Sequence, residues 1–154
     1  MNAQVTVRRD DSTLDDVAAV FLFRADGAAL LQHRDDKLGL RHSNMWVPPG
    51  GHCDPGETPL ECARREFLEE TCYFCRDLQF FTSLVDRPGP PWKSLRLHVF
   101  MALYDGHQEI ACREGQALEF ISMAGAAGLL MPDFIIPLWA QAWAALSRPR
   151  AHLS

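Results

Sequence analysis

The chain has 154 residues, enough to bury a core without disulfide or metal staples, and it is read as one domain over 1–154. Hydrophobic residues at 47% and charged residues at 23% are ordinary for a globular protein, and fifteen basic against twenty acidic residues leave a formal charge of −5. That balance argues against broad electrostatic binding to nucleic acid, yet it leaves room for a small anionic substrate held through a metal ion.

The opening MNAQVTVRRDDSTLDD has no signal-peptide core, and no segment reaches the apolar length that spans a bilayer. A cytoplasmic protein with no membrane partner is therefore expected. VAAVFLF (17–23) reads as a buried strand, RADG (24–27) as a turn and AALLQHR (28–34) as the returning strand. DDKLGLRHSN is a loop leading into Met45-Trp46-Val47 and a rigid PPGG at 48–51, whose glycines are expected to let the backbone turn tightly and approach a ligand. TPLECARREFLEET (58–71) is a helix with clear start signals: Thr58 as cap, Pro59 at the first helical position and Glu61 completing a capping box.

Beyond it, DLQFFTSLVD (77–86) is mostly extended and PGPPW (88–92) is a loop. In SLRLHVFMALY (94–104), Leu95, Leu97, Val99, Met101 and Leu103 share one strand face. EFIS (119–122) reads as a short strand. DFIIPLWAQAWAALS (133–147) reads as a helix with Asp133 near its cap, where Pro137 is tolerable in the first turn or at a kink. Strands, a helix, more strands and a final helix make an α/β (α+β) arrangement, a mixed β-sheet sandwiched between helices.

Glu66, Glu69 and Glu70 lie within about a third of the helix circumference. Leu60, Ala63 and Phe67 form an adjoining apolar strip that can anchor the helix on the sheet. An i,i+4 pair of like charges costs a few tenths of a kcal/mol. A solvated face would more usually intersperse lysines, whereas a hard cation such as Mg²⁺ removes the repulsion. On spacing alone a metal site and plain surface charge compete evenly. The Gly51 carbonyl can join a coordination shell, and Glu57 can pair with Arg65 to fix the loop before the helix.

The stretch resembles the Nudix box, G-x5-E-x7-R-E-U-x-E-E-x-G-U with U apolar. Gly51, Glu57, Arg65, Glu66, Phe67, Glu69, Glu70 and Tyr73 match it with both spacers of the right length, and Cys72 departs where the family has glycine. WVPPGG resembles the segment preceding the box, and CREGQALEFIS (112–122) a later segment of MutT-like members. The resemblance implies a Nudix-type mixed sheet and hydrolysis of a nucleoside diphosphate linked to another group. It also implies that Glu66, Glu69 and Glu70 bind Mg²⁺ (or Mn²⁺), with the Gly51 carbonyl and with Glu114 in the place of a late metal-binding glutamate. Glu66 would activate water with Arg65 orienting it. Divalent ions would reverse the local charge, align the phosphates and acidify water for attack on phosphorus.

Arg34 resembles a substrate-contacting arginine of MutT-type members. Arg96 and His98 share a strand face that can line the cleft or simply be partly exposed, and Trp92 can stack on a base or pack its loop. MutT-type members read guanine with an asparagine near the last helix; PDFII (132–136) has no amide, so guanine specificity does not carry over. A nucleoside triphosphate, giving monophosphate and pyrophosphate, is the expected substrate. A nucleotide sugar or dinucleotide is the alternative, and a non-catalytic nucleotide sensor is a third reading that the complete set of box carboxylates disfavours. Homodimerisation is left open.

The five cysteines, Cys53, Cys62, Cys72, Cys75 and Cys112, read as reduced thiols. Cys72 and Cys75 form a C-x-x-C, but zinc would need two more ligands and no second pair has suitable spacing. Cysteine at the family's glycine position predicts either a different helix ending or roughly 1 kcal/mol of strain.

Overall fold

The computed structural model describes residues 14–148; most of the opening segment read for a signal lies outside the described residues. The strand read from Val17 begins at Asp15 and runs to Phe23 (β1), and it turns back into β2, Ala29–His33. The segment after the loop makes two short strands in line, β3 (Trp46–Val47) and β4 (Gly50–His52). β3 pairs with β2, and β4 pairs with the first half of β1. The helix α1 spans Pro59–Thr71, followed by β5 (Gln79–Asp86), β6 (Leu95–Leu103) and β7 (Ala117–Ile121). A one-turn helix α2 (Met123–Ala126) was not foreseen, and α3 (Ile135–Ser147) closes the fold.

These strands form one seven-stranded mixed sheet, with β1 and β6 parallel at its centre from Asp15↔Leu95 to Phe23↔Leu103. The expected mixed sheet between helices is therefore present. Alternation along β1 sends Ala18, Val20 and Leu22 into a core under α1, and Phe21 and Phe23 into a second core under α3. In β6, Val99 and Met101 lie on one face as expected and join the α3 core, but Phe100 and Ala102 are buried on the other side, because a central strand is covered on both faces. Leu103 does not join the apolar face; it is exposed at the strand end.

Two helix details differ from expectation. The buried stripe of α1 is Cys62, Ala63, Phe67 and Thr71, while Leu60 is exposed at the first turn. Asp133 does not cap α3: Phe134 holds the N-cap position with no side-chain cap bond, and Pro137 falls in the first turn, where its missing N–H costs nothing. No described helix is long and apolar enough to cross a membrane.

Candidate active site

The start of α1 is fixed by the capping box. Thr58 Oγ1 accepts from the Glu61 amide at 3.1 Å, and Glu61 Oε1 accepts from the Thr58 amide at 3.4 Å. With the helix phase set there, its polar face presents Glu66 and Glu70 to β4. The Gly50 amide donates to Glu70 Oε2 at 3.1 Å. The Glu66 carboxyl lies over Gly51, so that a Cβ added at Gly51 would stand 2.4 Å from Glu66 Cδ.

These glycines are required by close approach and not by a tight turn. Neither adopts positive φ; both are strand residues, and a Cβ on Gly50 would meet the Ala18 carbonyl oxygen at 2.1 Å.

Glu114 reaches the same place through a segment bolted to α1 and β2. The amides of Ala111 and Arg113 donate to the last helical carbonyls, Thr71 and Glu70, both at 2.9 Å. The Gln116 amide donates to the His33 carbonyl at 2.7 Å, and Gln32 Nε2 donates to the Glu114 carbonyl at 3.1 Å. Gly115 makes this possible, since it has φ +83° and its missing Cβ would clash with the His33 carbonyl.

Glu70 and Glu114 thus meet, with Glu66 beside them over Gly51. Burial pushes Glu70 up to about 9, helped by its hydrogen bond to the Glu114 side chain and by the charges of Glu114 and Glu66. Burial also raises Glu66, against the pull of Arg65. A buried carboxyl with other carboxyls beside it is one whose charged form a cation would stabilise, and an all-oxygen set suits Mg²⁺ or Mn²⁺.

Glu69 is not drawn into this group. Its side chain is 58% exposed at the rim, 3.3 Å from Arg65 Nη1. Arg65 is a hub of ion pairs. Nε and Nη2 clasp Glu57 at 2.7 and 2.9 Å, Nη1 donates to Glu66 at 2.8 Å and Nη2 to the His52 carbonyl at 3.1 Å. Its donors hold Glu57 down to about 2, aided by the Asp54 amide.

On the α3 face a cavity of about 190 Å³ borders β4, lined by Gly50, Gly51 and His52 together with Val17, Ala19, Leu97, Val99 and Leu138. Arg34, Arg41, His42 and Asp86 supply its polar groups. Arg41 Nη2 bonds Asp86 and Nη1 donates to the Lys93 carbonyl at 2.8 Å. Arg34 follows β2, its amide donating to the Met45 carbonyl at 2.9 Å and its carbonyl accepting from Gln116 Nε2 at 2.8 Å. Its Nε is buried with no hydrogen-bond partner among the described residues. Leaving a buried donor unpaired costs about 1–3 kcal/mol, which a ligand acceptor would recover.

Residues 13–133 match the NUDIX domain family. The chain belongs to that family. It is 41% identical over 101 residues to the m7GpppN-mRNA hydrolase NUDT17 of Xenopus laevis, covering 60% of this chain and 34% of that one. It is 55% identical over 42 residues to the asymmetrical bis(5'-nucleosyl)-tetraphosphatase of Mus musculus, covering 27% of this chain and 24% of that one. The chain thus spans about a third or less of the curated relatives it matches. In fold it is similar to the MutT protein from Methanosarcina mazei Go1, with a TM-score of 0.73 at 16% identity over 88% of this chain and 96% of that one.

Within this Nudix frame, several sequence expectations move. Arg96 and His98 do not line the cavity. They sit on the opposite face of β6, where His98 Nε2 meets Asp16 Oδ1 at 2.9 Å and Nδ1 meets Ser83 Oγ at 2.7 Å. Trp92 is not among the lining residues either. Cys72 keeps the family's helix ending: it is left-handed at φ 62°, ψ 10°, its amide donating to the Leu68 carbonyl at 2.9 Å. Of the two alternatives, strain is the one realised. Its Sγ accepts from Arg113 Nε at 3.1 Å, and among the described residues no group of three metal-binding side chains includes Cys72 or Cys75. Sequence reasoning missed Arg41, His42 and Asp86, which lie in a loop and at a distant strand end with no short-range spacing to join them.

Proposed function

We propose that this Nudix domain is a Mg²⁺- or Mn²⁺-dependent hydrolase of the phosphoanhydride link in nucleoside diphosphate derivatives. The observation that carries this is the convergence of Glu66, Glu70 and Glu114 beside Gly51, at the border of a cavity that fits a single ring system. An apolar cavity of roughly 150 Å³ takes up benzene, so 190 Å³ suits a base and leaves the phosphates outside, next to the carboxylates.

Glu66, Glu70 and Glu114, with the Gly51 carbonyl and Glu69 from the rim, would hold the cation. When bound, it supplies charge neutralisation of the phosphates and a more acidic water. Glu66 would take the proton of the attacking water, and its 2.8 Å ion pair with Arg65 supports that role. Arg34 offers its unpaired Nε to an acceptor on the base or ribose end of the substrate, and the apolar walls exclude water from the ring. Positioning and charge compensation are most of what phosphoryl transfer demands.

A nucleoside triphosphate, cleaved to monophosphate and pyrophosphate, is the first substrate to test. Its relatives, an m7GpppN-mRNA hydrolase and a bis(5'-nucleosyl)-tetraphosphatase, favour a second reading, a polyphosphate bridging two nucleosides. A nucleotide panel with Mg²⁺ and product identification separates them: pyrophosphate marks the first and two nucleotide products the second. Glu69→Gln and Glu70→Gln should each abolish metal-dependent turnover. Undiminished turnover in both would defeat the assignment, and a broad panel with no product would favour a nucleotide sensor.

A further inference from the structure

A second group of metal-ligating side chains stands apart from the carboxylate centre. Cys53 and Glu57 lie in the loop after β4, and Cys62 lies in the second turn of α1. One ligand atom from each falls within 4.8 Å of the other two. Cys53 is half-buried and Cys62 is buried. The two thiols and the carboxylate therefore face one small volume, reached from the Cys53 side.

We propose that Cys53, Cys62 and Glu57 form a site for a soft or borderline divalent cation of the Zn²⁺ type, distinct from the Mg²⁺ centre. Thiolate ligands select such ions over Mg²⁺, which takes oxygen donors. Zn–S bonds of about 2.3 Å in a tetrahedron set the sulfurs roughly 3.8 Å apart. Reaching that from 4.8 Å or less needs at most a side-chain adjustment of about 1 Å.

Glu57 need not leave Arg65 to take part. Its Oε1 accepts from the Asp54 amide and Arg65 Nη2, and its Oε2 from Arg65 Nε. A carboxylate has about four lone-pair sites, so one remains on Oε2 for a metal. Binding M²⁺ releases the two thiol protons to solvent, and the three negative ligands more than balance the added charge. A water completes four-coordination. Occupancy would tie the loop to the helix on the side of Glu57 away from the catalytic carboxylates. It is independent of which nucleotide the protein cleaves.

The test is a Cd²⁺ titration of the reduced full chain in excess Mg²⁺, following the ultraviolet thiolate-to-cadmium band. The expected result is one Cd²⁺ per chain, displaced by Zn²⁺. Cys53→Ser and Cys62→Ser should each weaken binding by at least about tenfold. Cys72→Ser, Cys112→Ser and Glu66→Gln should leave it intact, and the last would also separate this site from failure of the catalytic centre. Because Cys62→Ser can upset the core, wild-type protein is also alkylated with and without Zn²⁺. Zn²⁺ should protect Cys53, as read by mass spectrometry. No thiolate band, a band unchanged in Cys53→Ser, or Cys53 alkylated equally fast with Zn²⁺ present would overturn the proposal.

Discussion

Replacing Gly51 with alanine isolates the position of Glu66 from everything else in the fold. The backbone at 51 is ordinary strand, so alanine brings no conformational strain of its own. Its Cβ, however, would stand 2.4 Å from Glu66 Cδ, whereas ordinary contact begins at 3.4 Å. The carboxyl must therefore retreat by about 1 Å, and it can do so because it is the far end of a flexible side chain. A misplacement of about 1 Å costs on the order of 100-fold in rate. The expected outcome is a fall of that size in kcat/KM at saturating Mg²⁺, with a melting temperature near that of the parent. Gly50→Ala is the contrasting control: its Cβ meets the Ala18 backbone, which cannot give way cheaply, so the loss there should be stability, by about 1–3 kcal/mol. Gly51→Ala retaining activity within about threefold would show that the carboxyl above Gly51 is not the group on which turnover depends.

The crowded carboxyls predict a metal response that does not depend on turnover. Mg²⁺ at 100 times its dissociation constant should stabilise by about 2.7 kcal/mol, roughly 5–10 °C in a domain of this size, and Glu70→Gln should lose most of that shift in a thermal melt. Arg34→Ala should raise KM with kcat nearly unchanged, because a contact to the non-reacting end of the substrate is made equally before and during reaction; a fall in kcat alone would contradict that role. Cys72→Gly relieves a left-handed residue at the end of α1 and should stabilise by about 1 kcal/mol, offset in part by the lost Arg113 contact and by the greater freedom of glycine in the unfolded chain. Denaturant unfolding checks it, and a destabilised variant would mean the Arg113–Cys72 contact outweighs the strain. Arg65 holds Glu57 at about 2 against an ordinary 4.5, so the stabilisation from this pair is complete above about pH 4.5 and lost as the pH falls towards 2. Glu57→Gln should flatten the decline in stability across that window.

What was legible in the sequence and what was not divides along a physical line. The proposed metal end draws most of its carboxylates from one helix whose capping residues fix its phase, so the spacing of Glu66, Glu69 and Glu70 is already a spatial statement. Even there, periodicity placed Glu69 with its neighbours while the fold leaves it at the rim beside Arg65, because a helix face is about as wide as the whole site. The need for glycine at 50 and 51 was legible, but its cause was not. Close approach to Ala18 and Glu66 exists only once β4 docks on β1 and α1, and a two-glycine run looks the same in a turn and in a tightly packed strand. The cavity is further from reach. Arg41 and Asp86 are 45 positions apart, on a loop and a strand end, and they meet only because β5 and β6 pair and the 34–45 loop folds over β2. The alternation that put Leu97 and Val99 on one strand face also fixed the opposite fate of Arg96 and His98: once that face is the cavity wall, residues one position away must point towards Asp16 and Ser83. The proposed metal site thus rests largely on local spacing, whereas the cavity is assembled by long-range pairing, and Arg34, Arg41 and Asp86 are the residues to vary in a search for substrate preference.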